Sequence, residues 1–111
     1  MKKTDKKRDN QIREQLTLVC DLFLNECEGF EWLTHKVNYD AFPKSLKVIC
    51  VFSQESEITA VRLAKQDEFM IQAIQHHLQA VSMNISRDQI VLDSEAACDS
   101  QHDGNWARRL N

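Results

Sequence analysis

Two rhythms of apolar and polar positions organise the chain. Between about Asp9 and Glu28, residues Ile12, Leu16, Val19, Cys20, Phe23 and Cys27 recur every three or four positions, which is the spacing of one helix face. Leu18, Leu22 and Leu24 fall outside that stripe, so this helix is apolar on more than one side. A helix of that kind is either enclosed by its own domain or offers a second face to another chain. Gly29 follows as a left-handed stop.

From Phe30 to Tyr39 the rhythm shortens to alternation. Leu33, Val37 and Tyr39 alternate with Trp32, Thr34, Lys36 and Asn38, which predicts a half-buried strand with His35 on its apolar face. Asp40 to Ser45 reads as a turn, because Pro43 has no N–H to give to a ladder. Leu46 to Phe52 is apolar on both faces after Lys47, the mark of a strand in mid-sheet with cover on both sides. These two strands should form an antiparallel hairpin.

Ser53 to Met83 carries no strand pattern. Ile58, Val61 and Ala64 predict a short helix; Asp67 then caps a second, reaching about Met83, with Met70, Ile74, Leu78 and Val81 inward and Asn84 as its stop. Gln89 to Asp93 is a third short strand, and Ser94 caps a last helix through Cys98. The tail from Asp99 is polar apart from Trp106 and Leu110.

The order α-β-β-α-α-β-α predicts one two-layer α+β domain. Its three-stranded mixed sheet is a β-hairpin plus one strand reached by a helical crossover, which favours a parallel connection. The expected core is Leu16, Val19, Phe23, Leu33, Val37, Val48, Ile49, Val51, Phe52, Ile74, Leu78, Val81, Ile90 and Leu92.

Composition narrows the function classes. With 111 residues the chain suffices for one domain, and with only two glycines and one proline it has no phosphate-cradling loop or dinucleotide fingerprint. The net charge of −3 conceals an asymmetry. Lys2, Lys3, Lys6, Lys7 and Arg8 stand against Asp5 in residues 1–8, a net of +4, so the remainder carries −7. Residues 1–8 are therefore expected as a flexible basic arm ahead of a single domain spanning 9–111. Such an arm can meet nucleic acid electrostatically. The acidic stretches 16–31 and 93–103, which contain no Lys or Arg, would repel it.

No apolar run approaches the roughly 20 residues of a membrane helix, and the basic start lacks the apolar stretch of a secretory signal. Cys20, Cys27, Cys50 and Cys98 contain no C-x-x-C pair and mostly lie in apolar surroundings. Reduced thiols in the cytoplasm are the expectation.

Four constellations have chemical meaning. Cys98 and His102 stand four residues apart, one helical turn, and with His76 or His77 would begin a zinc site. The bland reading, an incidental thiol and solvated histidines, is preferred, because any such pair meets that spacing by chance. Cys50 and His35 lie on facing strands and would pair a thiol with a base. Cys50 reads more simply as core. Asp93, Glu95 and Asp99 follow a strand end but read as a capping, solvated face. Trp32, Lys36 and Lys47 place an aromatic and two cations on one sheet face, a single-strand platform if the ring is open. A Trp32 packed under a helix would remove it.

Two stretches carry a resemblance: Phe30-Glu31-Trp32-Leu33-Thr34-His35 running to Phe42-Pro43-Lys44-Ser45-Leu46-Lys47-Val48, and Asp93-Ser94-Glu95 running to Asn105-Trp106-Ala107-Arg108-Arg109-Leu110. The chain resembles, over most of residues 9–111, a group of small uncharacterised proteobacterial proteins, some labelled Fis-family transcriptional regulators. That label implies a helix-turn-helix with a basic recognition helix. Here only Arg108 and Arg109 are basic after Arg87, and the strand at Gln89 to Asp93 interrupts any such helix pair. No DNA-binding residue is transferred.

The resulting expectation is a small, cytoplasmic, non-enzymatic protein without a cofactor, acting through protein–protein contacts or as its own dimer, with Leu18, Leu22 and Leu24 as interface candidates. The alternatives are a nucleic-acid-associated regulator using Lys2, Lys3, Lys6, Lys7 and Arg8, and a zinc-binding protein using Cys98 and His102.

Overall fold

Lys47–Phe52 forms the central strand, β2, and every residue of it after Lys47 is buried. Side chains of a strand alternate between faces, so this strand requires cover on both sides. The computed structural model describes residues 2–111 and shows how that cover is built. β1 (Phe30–Lys36) pairs antiparallel with β2, and β3 (Ile90–Ser94) pairs with it in parallel, giving the order β1-β2-β3. The helices are α1 (Lys3–Glu26), α2 (Glu55–Leu63), α3 (Gln66–Gln79), α4 (Glu95–His102) and a single turn, α5 (Trp106–Arg109). The expected order α-β-β-α-α-β-α holds, with α5 as one further turn at the end.

Val48, Cys50 and Phe52 face the main core, which they share with α1, α2 and α3 through Leu16, Phe23, Ile58, Met70 and Ile74. Ile49 and Val51 point the other way and are equally buried. On that second face lie α4 and α5, held by contacts described below. Of the expected core, Leu33, Val37, Val81 and Leu92 are only half-buried; Leu33 and Leu92 lie on the two edge strands, and Val37 and Val81 just past the ends of β1 and α3. Ile12, Leu46 and Cys50 are fully buried instead.

Several boundaries differ from the sequence reading: β1 ends at Lys36 rather than Tyr39, where a short 3-10 turn begins, and α4 continues past Cys98 to His102. α1 begins at Lys3 rather than near Asp9, since nothing in residues 3–8 breaks a helix, so Lys3, Lys6, Lys7 and Arg8 of the expected arm stand on its first turns, with Lys2 just ahead of them. α3 starts at Gln66, not at a cap on Asp67, because left-handed Lys65 (φ 57°) makes the corner from α2. It stops at Gln79, short of Met83: Ser82 takes the left-handed conformation (φ 64°), and the Met83 N–H returns to the Leu78 carbonyl at 2.9 Å. That closure does the work expected of Asn84.

Gly29 joins α1 to β1 with φ +85°. Its carbonyl accepts the Ser53 N–H at 3.1 Å, and the Glu57 side chain, which accepts from Ser53 Oγ and from the Gln54 N–H, fills the space where a Cβ would stand. Gly29→Ala therefore adds a positive-φ penalty to a collision with the α2 cap. The expected loss is about 1–3 kcal/mol of unfolding free energy by urea titration.

Candidate functional site

The sequence-predicted interface residues do not share a face. Each residue turns a helix by about 100°, so Leu18 and Leu22 stand about 40° apart while Leu24 stands about 120° from Leu18, across Thr17 and Asp21. Leu18 is 54% exposed and Leu24 is 53% exposed, whereas Leu22 packs against the core. Leu24 is thus separate from the other two.

A neighbour the sequence did not reveal joins Leu18 and Leu22. Gln66 Nε2 donates to the Glu26 carbonyl at 2.7 Å, the Phe69 ring lies 6.1 Å from that of Phe23, and His77 Nδ1 is 3.1 Å from Gln15 Oε1. As α3 advances α1 retreats, so the two helices are antiparallel. This ladder sets Leu18 and Leu22 beside the Phe69–Ala73 turn, where Phe69 is 40% exposed and Ala73 packs against the core. The result is an apolar seam along the outer side of α1 and α3. Sequence periodicity shows the stripe of each helix but not which stripes adjoin.

The second face of the sheet carries a denser set of bonds. Trp32 of β1 and Trp106 of α5 meet edge to face at 4.9 Å, and both indole N–H groups donate to Glu95, at 2.5 Å and 3.1 Å. Arg109 grips Asp93 with two parallel bonds of 2.7 Å and 2.8 Å and reaches Gln101 Oε1 at 2.9 Å. Ser94 caps α4 as expected, accepting from the Ala97 N–H at 3.0 Å and donating to Glu55. Asp93 and Glu95 are therefore the anchors of the C-terminal segment rather than a solvated face. Trp106 covers Trp32, which removes the stacking platform.

The remaining chemical candidates are placed as follows. Cys50 lies opposite Leu33, not His35, and burial pushes its thiol far above the ordinary range. Burial raises Cys27 to about 11, and raises Cys20 and Cys98 in the same direction. Cys98 is fully buried on the second face, while His102 contacts Arg109 through Nδ1 at 3.3 Å. His76 and His77 belong to α3, on the opposite side of the sheet. No three His, Cys, Asp or Glu side chains converge as metal ligands among the described residues. Arg8 lies over the Phe42 ring at 4.7 Å, and Lys2, Lys3, Lys6 and Lys7 are exposed.

His35 has a different partner. Asp9 of α1 takes His35 Nε2 at 3.0 Å, the Tyr39 hydroxyl at 2.9 Å and Arg13 Nε at 2.9 Å. Burial opposes the charge on Asp9, but the bonds from His35 and Tyr39 and the charges of His35 and Arg13 hold its carboxyl below 3.8. Burial, with Asp9 beside it, pushes the Tyr39 hydroxyl up to about 12. This cluster clamps the amino-terminal half of α1 to the end of β1.

Comparison with known protein families, curated proteins and solved structures returns no match.

Two outcomes test these bonds. Glu95→Ala leaves two indole donors without their acceptor and should cost about 1–3 kcal/mol, with a change in tryptophan emission that Asp99→Ala does not cause. Asp9 has a folded pKa below its unfolded value, so its contribution is fully present above pH 3.8 and is lost as pH falls through the lowered value. Asp9→Asn should accordingly be less stable than wild type at neutral pH, and the difference should shrink in acid denaturation profiles below that point.

Proposed function

We propose that this is a small, non-enzymatic protein that acts through protein–protein contact, and that its α1–α3 seam pairs with a second copy of the chain. The observation that carries this reading is the seam itself: on two packed helices Leu18 and Phe69 stay exposed, with half-buried Leu22 on the same side of α1 as Leu18. An apolar strip with that continuity is typical of interfaces, whereas isolated surface leucines are not. Leu24, on another side of α1, is not part of it.

Charge along α1 supports self-pairing in one orientation. Its first turns carry Lys3, Lys6, Lys7 and Arg8, and its far end carries Asp21 and Glu26 followed by Glu28. Two copies of α1 crossing antiparallel at Leu18 bring Lys7 of one beside the Glu26–Glu28 end of the other. The same basic turns favour a contact with nucleic acid as the second reading, since their three lysines, Lys3, Lys6 and Lys7, are exposed.

A non-catalytic role is supported by what the candidate groups are doing. Asp93 and Glu95 hold the C-terminal segment, His35 holds Asp9, and the thiols are raised away from the reactive range. The four cysteines are unpaired, as a reducing compartment such as the cytoplasm would keep them. No helix among the described residues is long and apolar enough to cross a membrane.

Sedimentation velocity over a concentration series tests the pairing. Wild type should form a dimer that Leu18→Asp weakens by more than tenfold, because a carboxylate in an apolar contact loses its water. Leu24→Asp should leave the dimer intact. A wild type that stays monomeric at the highest concentration, while duplex DNA binds it in a salt-sensitive way through Lys3, Lys6 and Lys7, would favour the nucleic-acid reading.

A further inference from the structure

Lys36 and Lys47 stand directly opposite each other across β1 and β2, on the face of the sheet that carries Ile49. Like charges in directly opposed positions repel, so an anion between them would relieve the pair. None of the four ion pairs among the described residues includes either lysine. Lys36 Nζ donates to the Leu110 carbonyl, which is a neutral acceptor. The acidic side chain lining the same hollow, Asp93, already has its charge offset by Arg109 at 2.7 Å.

The lysines border a hollow of about 380 Å³, the size of a small-ligand site, between the sheet and the C-terminal helices. A second hollow of ≈ 360 Å³ shares Lys36, Lys47 and Leu110, so the pair stands where the two meet. The larger one has an apolar floor of Ile49 and Val91 and a polar wall of Gln101 and His102. Arg109 can only donate, so His102 Nδ1 accepts from it at 3.3 Å, which leaves Nε2–H as the donor of that ring. Cations, neutral donors and an apolar floor are thus gathered in one volume of ligand size.

We propose that this hollow binds a small organic anion, with a phosphate or carboxylate head between Lys36 and Lys47 and an apolar body on Val91, beside the nearly buried Ile49. Nucleic acid fits it less well, because Trp32, the aromatic that would stack a base, is covered by Trp106 at 4.9 Å. The site lies on the side of the sheet away from the α1–α3 seam and does not depend on pairing through it.

Amide NMR titration with phenyl phosphate, benzoate, inorganic phosphate and phenol tests the proposal on the full chain. Phenyl phosphate or benzoate should shift Lys36, Lys47, Ile49 and Val91 with a dissociation constant in the roughly millimolar range. The better of the two identifies the head group. Inorganic phosphate and phenol, each carrying half of the recognised features, should bind more weakly. Lys47→Gln should weaken the better probe about two- to fivefold, Lys36→Gln by a similar factor, and Lys44→Gln not at all. Lys47 is exposed and holds no side-chain bond in the fold, so its variant reads binding without disturbing the C-terminal segment. Equal binding of phenol, shifts confined to other surfaces, shifts unaffected by Lys47→Gln, or response to a single-stranded oligonucleotide alone would each overturn it.

Discussion

The burial of β2 on both faces is the constraint on which the rest of the architecture depends. Val48, Cys50 and Phe52 on one side, and Ile49 and Val51 on the other, leave almost no accessible surface. Apolar side chains contribute to stability only while water is excluded from them, so two separate layers must close on a strand of six residues. The first layer is conventional: α1, α2 and α3 supply Phe23, Ile58, Met70 and Ile74 to a shared core. The second is built from the short α4 and α5, which have too few apolar residues to stay in place by burial alone.

Specific polar bonds make up that deficit. Glu95 receives two indole N–H groups, and Arg109 closes a two-bond fork on Asp93. Such bonds have direction, so they fix where the segment lies as well as keeping it attached. The same placement creates the hollow above Ile49 and Val91, because the segment covers part of the face and stops beside Lys36 and Lys47. A structural need on one half of the face thus shapes a recess on the other half.

The two faces of the domain consequently offer different chemistry. The helical side presents an apolar seam with opposite charges at the two ends of α1, suited to another helix surface. The C-terminal side presents cations around an apolar floor, suited to a small anion. The Asp9 cluster lies at the edge between them and ties α1 to the hairpin through His35 and Tyr39.

Much of the fold was legible because it rests on local periodicity. The three-to-four spacing from Ile12 to Cys27, the alternation from Trp32 to Val37 and the continuous run after Lys47 each specify an element from neighbouring residues alone. Ser94 was readable as a cap for the same reason. Helix ends were less so, because Lys65 and Ser82 take left-handed conformations that neither side chain announces. What only the tertiary structure decided are pairings between residues far apart in the chain: Trp32 with Trp106, Asp9 with His35, and Leu22 beside Phe69. Periodicity states which face of an element is apolar, but it does not encode which other element that face meets. The chain by itself therefore determined the elements and their order, whereas the seam, the anchors of the C-terminal segment and the lysine-bordered hollow arise only when those elements pack.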